Sequence, residues 1–118
     1  MKDTFFYLST CDTCQRILGE LDLPEDVRLQ DIKSEPLNSD QVEALMKLAG
    51  SFEALFSKRA RLYKERNLKA KNLAESDFRD LLLEHYTFLK RPVLVHNGQI
   101  FIGNAKNTVA LARQSLHP

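Results

Sequence analysis

The apolar residues open with an unbroken cluster, Phe5-Phe6-Tyr7-Leu8. A run from Thr4 to Leu8 without polar alternation predicts a short strand buried on both faces. Cys14, Ile17, Leu18 and Leu21 then fall at i, i+3, i+4 and i+7, the core stripe of a helix. Ser9-Thr10-Cys11-Asp12 supplies small polar capping residues before that helix, and Pro24 is expected to end it. Val27 to Ile32 reads as a second strand with a period of two. Strand, helix, strand in this order predicts a right-handed crossover between parallel strands.

The pattern then turns helical. Asn38 with Gln41 three residues on resembles a capping box. Val42, Leu45, Met46 and Ala49 follow at helical spacing, with Gly50 placed to end the helix. Ser51 is expected to start a short helix carrying Phe52, Leu55 and Phe56, and Ser76 to cap another carrying Phe78, Leu81, Leu82 and Tyr86. Residues 39 to 86 thus read as entirely helical. Val93-Leu94-Val95-His96, Asn97-Gly98 and Gln99-Ile100-Phe101-Ile102 spell a hairpin with a type I′ turn. Gly103-Asn104 breaks the second strand, and Ala105 to Ser115 reads as a closing helix. The fold class is α/β, in the order β-α-β, a helical block, then β-β-α.

A chain of 118 residues with 43% hydrophobic and 28% charged residues fits one soluble domain spanning 1–118, with a helical insertion at about 38–88. The net charge of +1 gives no whole-molecule field toward nucleic acid or membrane. The run Phe5 to Leu8 is too short for a signal-peptide core or a membrane span, so a cytoplasmic protein is expected. Thiols are kept reduced there, and two cysteines in such a place point to redox or metal chemistry rather than a permanent staple.

Both cysteines fall in Cys11-x-x-Cys14. Cys11 sits where a buried strand passes into a helix, where free N–H groups and the positive end of the dipole favour thiolate over thiol. Cys14 lies one turn on, in line with Ile17, Leu18 and Leu21, more buried and within disulfide reach. An exposed nucleophile with a shielded partner is the arrangement thiol–disulfide exchange uses. Zinc would need two more ligands, and His85, His96 and His117 lack ligand spacing, so no metal is expected. Two inert buried cysteines are the other reading; it suits Cys14 better than Cys11, beside Ser9, Thr10 and Asp12.

Pro92, before the hairpin, marks either a strand start or a cis turn. Arg91 before it would favour the Cys11 thiolate if it faced the loop, and would grip an oxyanion with two prongs; a surface arginine is the alternative. Residues 58 to 71 carry Lys58, Arg59, Arg61, Lys64, Arg66, Lys69 and Lys71 against Glu65, a local +6 in a chain whose remainder is −5. A solvated helix face is the expected role of most of these residues. Tyr63 is the sole aromatic among them, which gives no stacking platform for single strands, and no direct nucleic-acid binding is expected.

These motifs resemble the arsenate reductase-like family, which includes the Spx-type regulators. The marks are Tyr7 to Arg16 with Cys-Asp-Thr-Cys, Ile32-Lys33-Ser34-Glu35-Pro36-Leu37, Ser57-Lys58-Arg59 to Leu68, and Leu89-Lys90-Arg91-Pro92-Val93-Leu94-Val95 with Gly103 closing the hairpin. The resemblance implies a thioredoxin-like fold with a mixed four-stranded sheet, a cis Pro92, and an Arg91 that faces the cysteine loop. It puts the nucleophile on Cys11. Of the three arginines around the oxyanion in arsenate reductases of this type, one matches Arg91. The second falls on Ser57, with Arg59 two residues away, and the third on Gly103. Cys14 follows the Spx pattern, in which the pair toggles between dithiol and disulfide. The expected function is a thiol-based oxidoreductase: Cys11 attacks, a Cys11–Cys14 disulfide forms, and glutathione or a thioredoxin-like protein supplies electrons, with no metal or organic cofactor. Arg91 is the electrostatic partner, and Arg59, Thr10 and Pro92 are candidates for substrate or anion contact. The alternative is an Spx-type redox-sensing regulator that binds the α subunit of RNA polymerase.

Overall fold

A computed structural model describes all residues, 1–118, and the chain packs as two compact units. Residues 1–35 and 91–118 form the first. Its strands are β1 (Thr4–Tyr7), β2 (Arg28–Asp31), β3 (Val93–His96) and β4 (Gln99–Ile102), and its helices are α1 (Asp12–Leu21) and a closing helix over Lys106–Leu116. They make a mixed four-stranded sheet in the order β2-β1-β3-β4. β1 runs parallel to β2, with Tyr7 opposite Asp31, and antiparallel to β3, with Phe5 opposite Leu94. The parallel crossover and the hairpin are both as the sequence predicts. Asn97 and Gly98 have φ of 52° and 76°, the two left-handed residues a type I′ turn needs.

Phe5 and Leu94 bury one face of this sheet with Ile17 and Leu21 of α1, Val27, and Ala112 and Leu116 of the closing helix. Each large side chain so buried contributes about 1.5–3 kcal/mol. Phe5, Phe6, Val93 and Val95 are completely buried, which agrees with a first strand shielded on both sides.

Two expectations fail in this unit. Helix α1 stops at Leu21, not at Pro24, with Asp22 left-handed at φ 50°. Its terminal carbonyls are taken by the end of the closing helix, which packs beside α1 on the same face of the sheet: His117 Nε2 lies 2.9 Å from the oxygens of both Leu21 and Asp22, and Arg113 donates to Glu20 O at 3.1 Å. Strand β2 also departs from a simple period of two. Leu29 is 48% exposed and Gln30 only 1%. β2 is an edge strand, and the Gln30 amide accepts from Arg28 at 2.8 Å and donates to Glu35 O at 3.0 Å, so a polar side chain is buried with its bonds made.

Residues 36–90 form the second unit. It holds α2 (Ser39–Ala49), α3 (Arg61–Glu65) and α4 (Glu75–Glu84), so the helix over Lys106–Leu116 is α5. The capping box is real: Gln41 N–H donates to Asn38 Oδ1 at 2.8 Å and Asn38 N–H to Gln41 Oε1 at 3.2 Å. Gly50, at φ 96°, ends α2 and returns its N–H to Met46 O. The rest is not one helical run. After Ser51 only a 3₁₀ turn forms, Glu53–Leu55, with Ser51 Oγ accepting from Ala54 N–H. Phe56 and Leu89 make an isolated antiparallel bridge. α4 starts after Ala74, whose N–H donates to Asp77, so Ser76 is not its cap, and Tyr86 falls in a separate 3₁₀ turn, Tyr86–Phe88. Phe56 centres the core of this unit. Its ring stacks on Phe88 at 5.2 Å and meets Phe78 and Tyr63 edge-on at 4.9 and 5.8 Å.

No helix is long and apolar enough to cross a membrane.

Candidate functional site

β1 delivers the chain at Tyr7 to a short loop, Leu8 to Cys11, and α1 begins at once. Cys11 N–H donates to Leu8 O at 3.0 Å, and Gln15 N–H to Cys11 O at 3.0 Å. Cys11 is therefore the N-cap residue, extended at φ −97° and ψ 116°. The small polar residues before it do not cap through their side chains: no side-chain hydrogen bond of ordinary geometry closes this end. The sulfur itself sits at the positive end of α1, half-buried, and both thiols are free.

The two thiols are pushed apart in acidity. Burial raises Cys11, and the N–H of Cys14, the Cys14 thiol, the N–H of Thr13 and the Arg91 charge together outweigh it, leaving Cys11 below the ordinary thiol value. Burial pushes Cys14 up to about 11; the Leu8 backbone and Arg91 oppose this, and the Cys11 sulfur adds to it. Cys14 is 0% exposed, on the side of α1 that carries Ile17 and Leu21. One turn of helix thus holds an accessible sulfur biased toward thiolate and a sheltered sulfur held as thiol.

Arg91 supplies the positive charge. It precedes Pro92 in a cis peptide bond, the geometry the family resemblance implies. The guanidinium is half-buried, and its Nη1 is shut off from solvent without any hydrogen-bond partner. A buried cationic N–H without an acceptor is unusual and is complementary to a thiolate, a carboxylate or an oxyanion. Arg91→Ala is expected to raise the Cys11 pKa. The sign follows from the lost positive charge, which favours only the ionised form. The midpoint of iodoacetamide alkylation against pH checks it, and an unmoved midpoint takes Arg91 out of the site.

The other expected contacts divide. Pro92 is buried and its carbonyl accepts from Gly103 N–H at 2.8 Å. Thr10 is exposed, one residue before the nucleophile, with no side-chain hydrogen bond. Arg59 belongs to the second unit, exposed in the turn before α3 and without an ion pair. Gly103 has φ 94°, a backbone setting that L side chains rarely adopt, so no third arginine is readily placed there. The basic stretch is not one helix face. It spans α3 and a 3₁₀ turn, Leu68–Ala70, and three of its cations are paired: Lys58 with Glu53 at 2.6 Å, Arg61 with Glu65 at 3.2 Å and Arg66 with Glu84 at 2.5 Å.

Two side chains from outside the loop reach it, those of Asp31 and Gln15. Ser9 Oγ donates to Asp31 Oδ2 at 2.6 Å, and Gln15 Nε2 donates to Ser9 O at 2.9 Å. Sequence reasoning missed them, though a signal existed. Asp31 ends β2, the parallel neighbour of β1, and the ends of parallel strands gather at one edge of a sheet.

A family model described as the ArsC family matches residues 6–111. The global transcriptional regulator Spx of Bacillus subtilis (strain 168) is 23% identical over 104 residues, which cover 85% of this chain and 78% of the regulator. Spx of Enterococcus faecalis (strain ATCC 700802 / V583) is 25% identical over 104 residues, covering 85% and 77%. Among solved structures, an arsenate reductase from Vibrio cholerae superposes with a TM-score of 0.78 at 19% identity over 98% of both chains. An ArsC family related protein from Bacteroides fragilis gives 0.77 at 23% identity, over 95% of this chain and 98% of the other. At these identities the structures speak for the thioredoxin-like fold alone.

Proposed function

The chain belongs to the ArsC family, and from that premise we propose that it is a thiol-based oxidoreductase acting on disulfides or glutathione adducts. Cys11 thiolate attacks one sulfur of the substrate disulfide. A Cys11–substrate bond forms, the substrate S–S bond breaks, and the other sulfur leaves as a thiolate. Cys14 then attacks the Cys11 sulfur, its proton passes to the departing thiolate, and a Cys11–Cys14 disulfide remains. Two electrons have moved from the dithiol to the substrate. Glutathione or a thioredoxin-like protein returns them, and a reducing cytoplasm would hold the resting pair as dithiol.

The observation that carries this reading is the unequal pair: one accessible sulfur at a helix N-terminus beside Arg91, and one fully buried sulfur a turn away. Arsenate is the weaker substrate, since an oxyanion taken out of water needs more positive charge than Arg91 alone provides. Thr10 and Pro92, flanking the sulfur and the arginine in the chain, are the proposed substrate contacts.

The relatives named Spx favour a second reading, in which the same pair senses oxidant and a protein surface contacts the α subunit of RNA polymerase. One experiment separates the two. Glutathione-coupled reduction of a mixed-disulfide substrate is measured beside a pull-down with the polymerase α subunit, with and without oxidant. Catalytic turnover with redox-independent or absent binding is the expected result. Binding that follows the Cys11–Cys14 redox state, with no turnover, replaces the enzyme by the regulator.

A further inference from the structure

We infer that Asp31 and Gln15 are positioning residues for the nucleophile, gripping Ser9 from two sides and holding the loop from Leu8 to Cys11 in register with the first turn of α1. The inference rests on the reading of Cys11 as the attacking thiolate.

Ser9 and Thr10 are exposed, so packing does not hold them. Hydrogen bonds do. The Asp31 carboxylate accepts from Ser9 Oγ at 2.6 Å, from Ser9 N–H at a long 3.5 Å, and from Lys33 N–H at 3.2 Å. Asp31 is itself fixed, because it closes β2 opposite Tyr7 and Ile32 N–H donates to Tyr7 O at 2.9 Å. From the other side, Gln15 holds the loop twice: its Nε2 donates to Ser9 O at 2.9 Å and its main-chain N–H to Cys11 O at 3.0 Å. Every polar group of Ser9 is therefore tied, its hydroxyl and N–H to β2 and its carbonyl to α1. The Ser9 hydroxyl, with help from the Lys33 and Ser9 N–H groups and against slight burial, holds Asp31 below the usual carboxylate range, which agrees with a carboxylate that is ionised in the clamp.

The consequence for Cys11 is one of alignment. Its thiolate is favoured by the Cys14 and Thr13 N–H groups and by Arg91, each of which depends on where the loop sets the sulfur. Two roles for Asp31 then predict opposite signs. A carboxylate acting by charge alone disfavours a nearby thiolate, so its removal lowers the Cys11 pKa. A carboxylate acting as the clamp keeps the sulfur aligned, so its removal raises it.

The test is the pH profile of Cys11 alkylation by iodoacetamide in the full chain, with Cys14 replaced by serine throughout so that a single thiol reports. Asp31→Ala and Ser9→Ala are each expected to move the midpoint upward by about half a pH unit, roughly a threefold loss of thiolate at neutral pH. The double variant is expected to match either single one, because both remove one shared interaction. Asp31→Asn, which keeps an acceptor, and Ser9→Thr, which keeps the hydroxyl, stay near the parent, and Gln15→Ala moves the midpoint upward. Downward movement in both Asp31→Ala and Asp31→Asn, or no movement in Asp31→Ala, overturns the clamp while the nucleophile reading survives. A parent midpoint at the value of free cysteine overturns the nucleophile reading, and the clamp with it.

Discussion

Cys11→Ser is expected to abolish turnover, a loss of roughly three or more orders of magnitude, in the range that removal of a covalent nucleophile costs. The reason is chemical rather than structural. A serine hydroxyl at the N-cap of α1 keeps the helix start, since serine is a preferred N-cap residue. The Cys14 and Thr13 N–H groups and Arg91 would still surround the oxygen, and they favour an anion by an amount suited to a thiol already near its own pKa. A hydroxyl is far from ionising at neutral pH, and the same surroundings cannot close that gap. Cys14→Ser fails differently. Cys11 is expected to attack as before, but with no buried thiol to follow, the reaction should stop after one substrate as a stable adduct on Cys11. Intact mass after mixing with a glutathione mixed disulfide reads both outcomes: no adduct for Cys11→Ser, one persistent glutathione for Cys14→Ser. Turnover retained by Cys11→Ser, or an adduct distributed equally over both cysteines, removes the division of labour between attacking and resolving sulfur.

The unequal placement of the two sulfurs was legible in the sequence because it depends on local order. A buried strand, a short polar loop and a helix stripe at i, i+3, i+4 and i+7 place Cys11 at the cap and Cys14 on the core side without any long-range information. The hairpin was legible for the same reason: Asn97-Gly98 carries its own backbone preference, and both residues are left-handed as that preference requires. The capping box at Asn38 and Gln41 is equally local.

What sequence reading misplaced is decided by specific hydrogen-bond partners, some of them distant along the chain, that no periodicity records. α1 stops at Leu21 because Arg113 and His117, more than ninety positions later in the chain, reach its last carbonyls. Gln30 is buried because Arg28 and Glu35 satisfy its amide, and no hydropathy period records that. The Ser9 hydroxyl finds Asp31 through strand pairing, a contact separated by 22 positions. Pro92 left two backbone readings open, and the cis form is the one the fold adopts. In the helical block, Ser76 looked a better cap than Ala74 on side-chain chemistry alone. Asp77 reverses that by accepting the Ala74 N–H itself, and Glu75 turns back to accept from Phe52 and Glu53 N–H at 2.7 and 3.1 Å.

Phe56→Ala is expected to lower the stability of the chain by about 3–5 kcal/mol, the cost of truncating a buried aromatic to alanine. Phe56 is 1% exposed and touches three other rings, of which Phe88 is 0% and Phe78 5% exposed. Its removal leaves a space that none of them can fill, because Phe88 is held by the Leu89–Phe56 bridge and by the Ser57 N–H donated to Phe88 O at 2.7 Å, and Phe78 by α4. The offset and edge-on ring contacts add to the area term, which places Phe56 toward the upper end of that range. Urea unfolding followed by circular dichroism measures the loss as a lower midpoint at unchanged slope. The same variant also separates fold from chemistry. The groups that favour the Cys11 thiolate lie in Thr13, Cys14 and Arg91, and the residues inferred to position it, Ser9, Gln15 and Asp31, belong like them to residues 1–35 and 91–118, so the fraction of Phe56→Ala that remains folded should alkylate with the wild-type pH profile. A stability loss below about 1 kcal/mol, the scale of an ordinary surface change, would show that the rings around Phe56 are not the core of residues 36–90. A displaced alkylation midpoint in the folded fraction would show that the acidity of Cys11 depends on residues 36–90 as well.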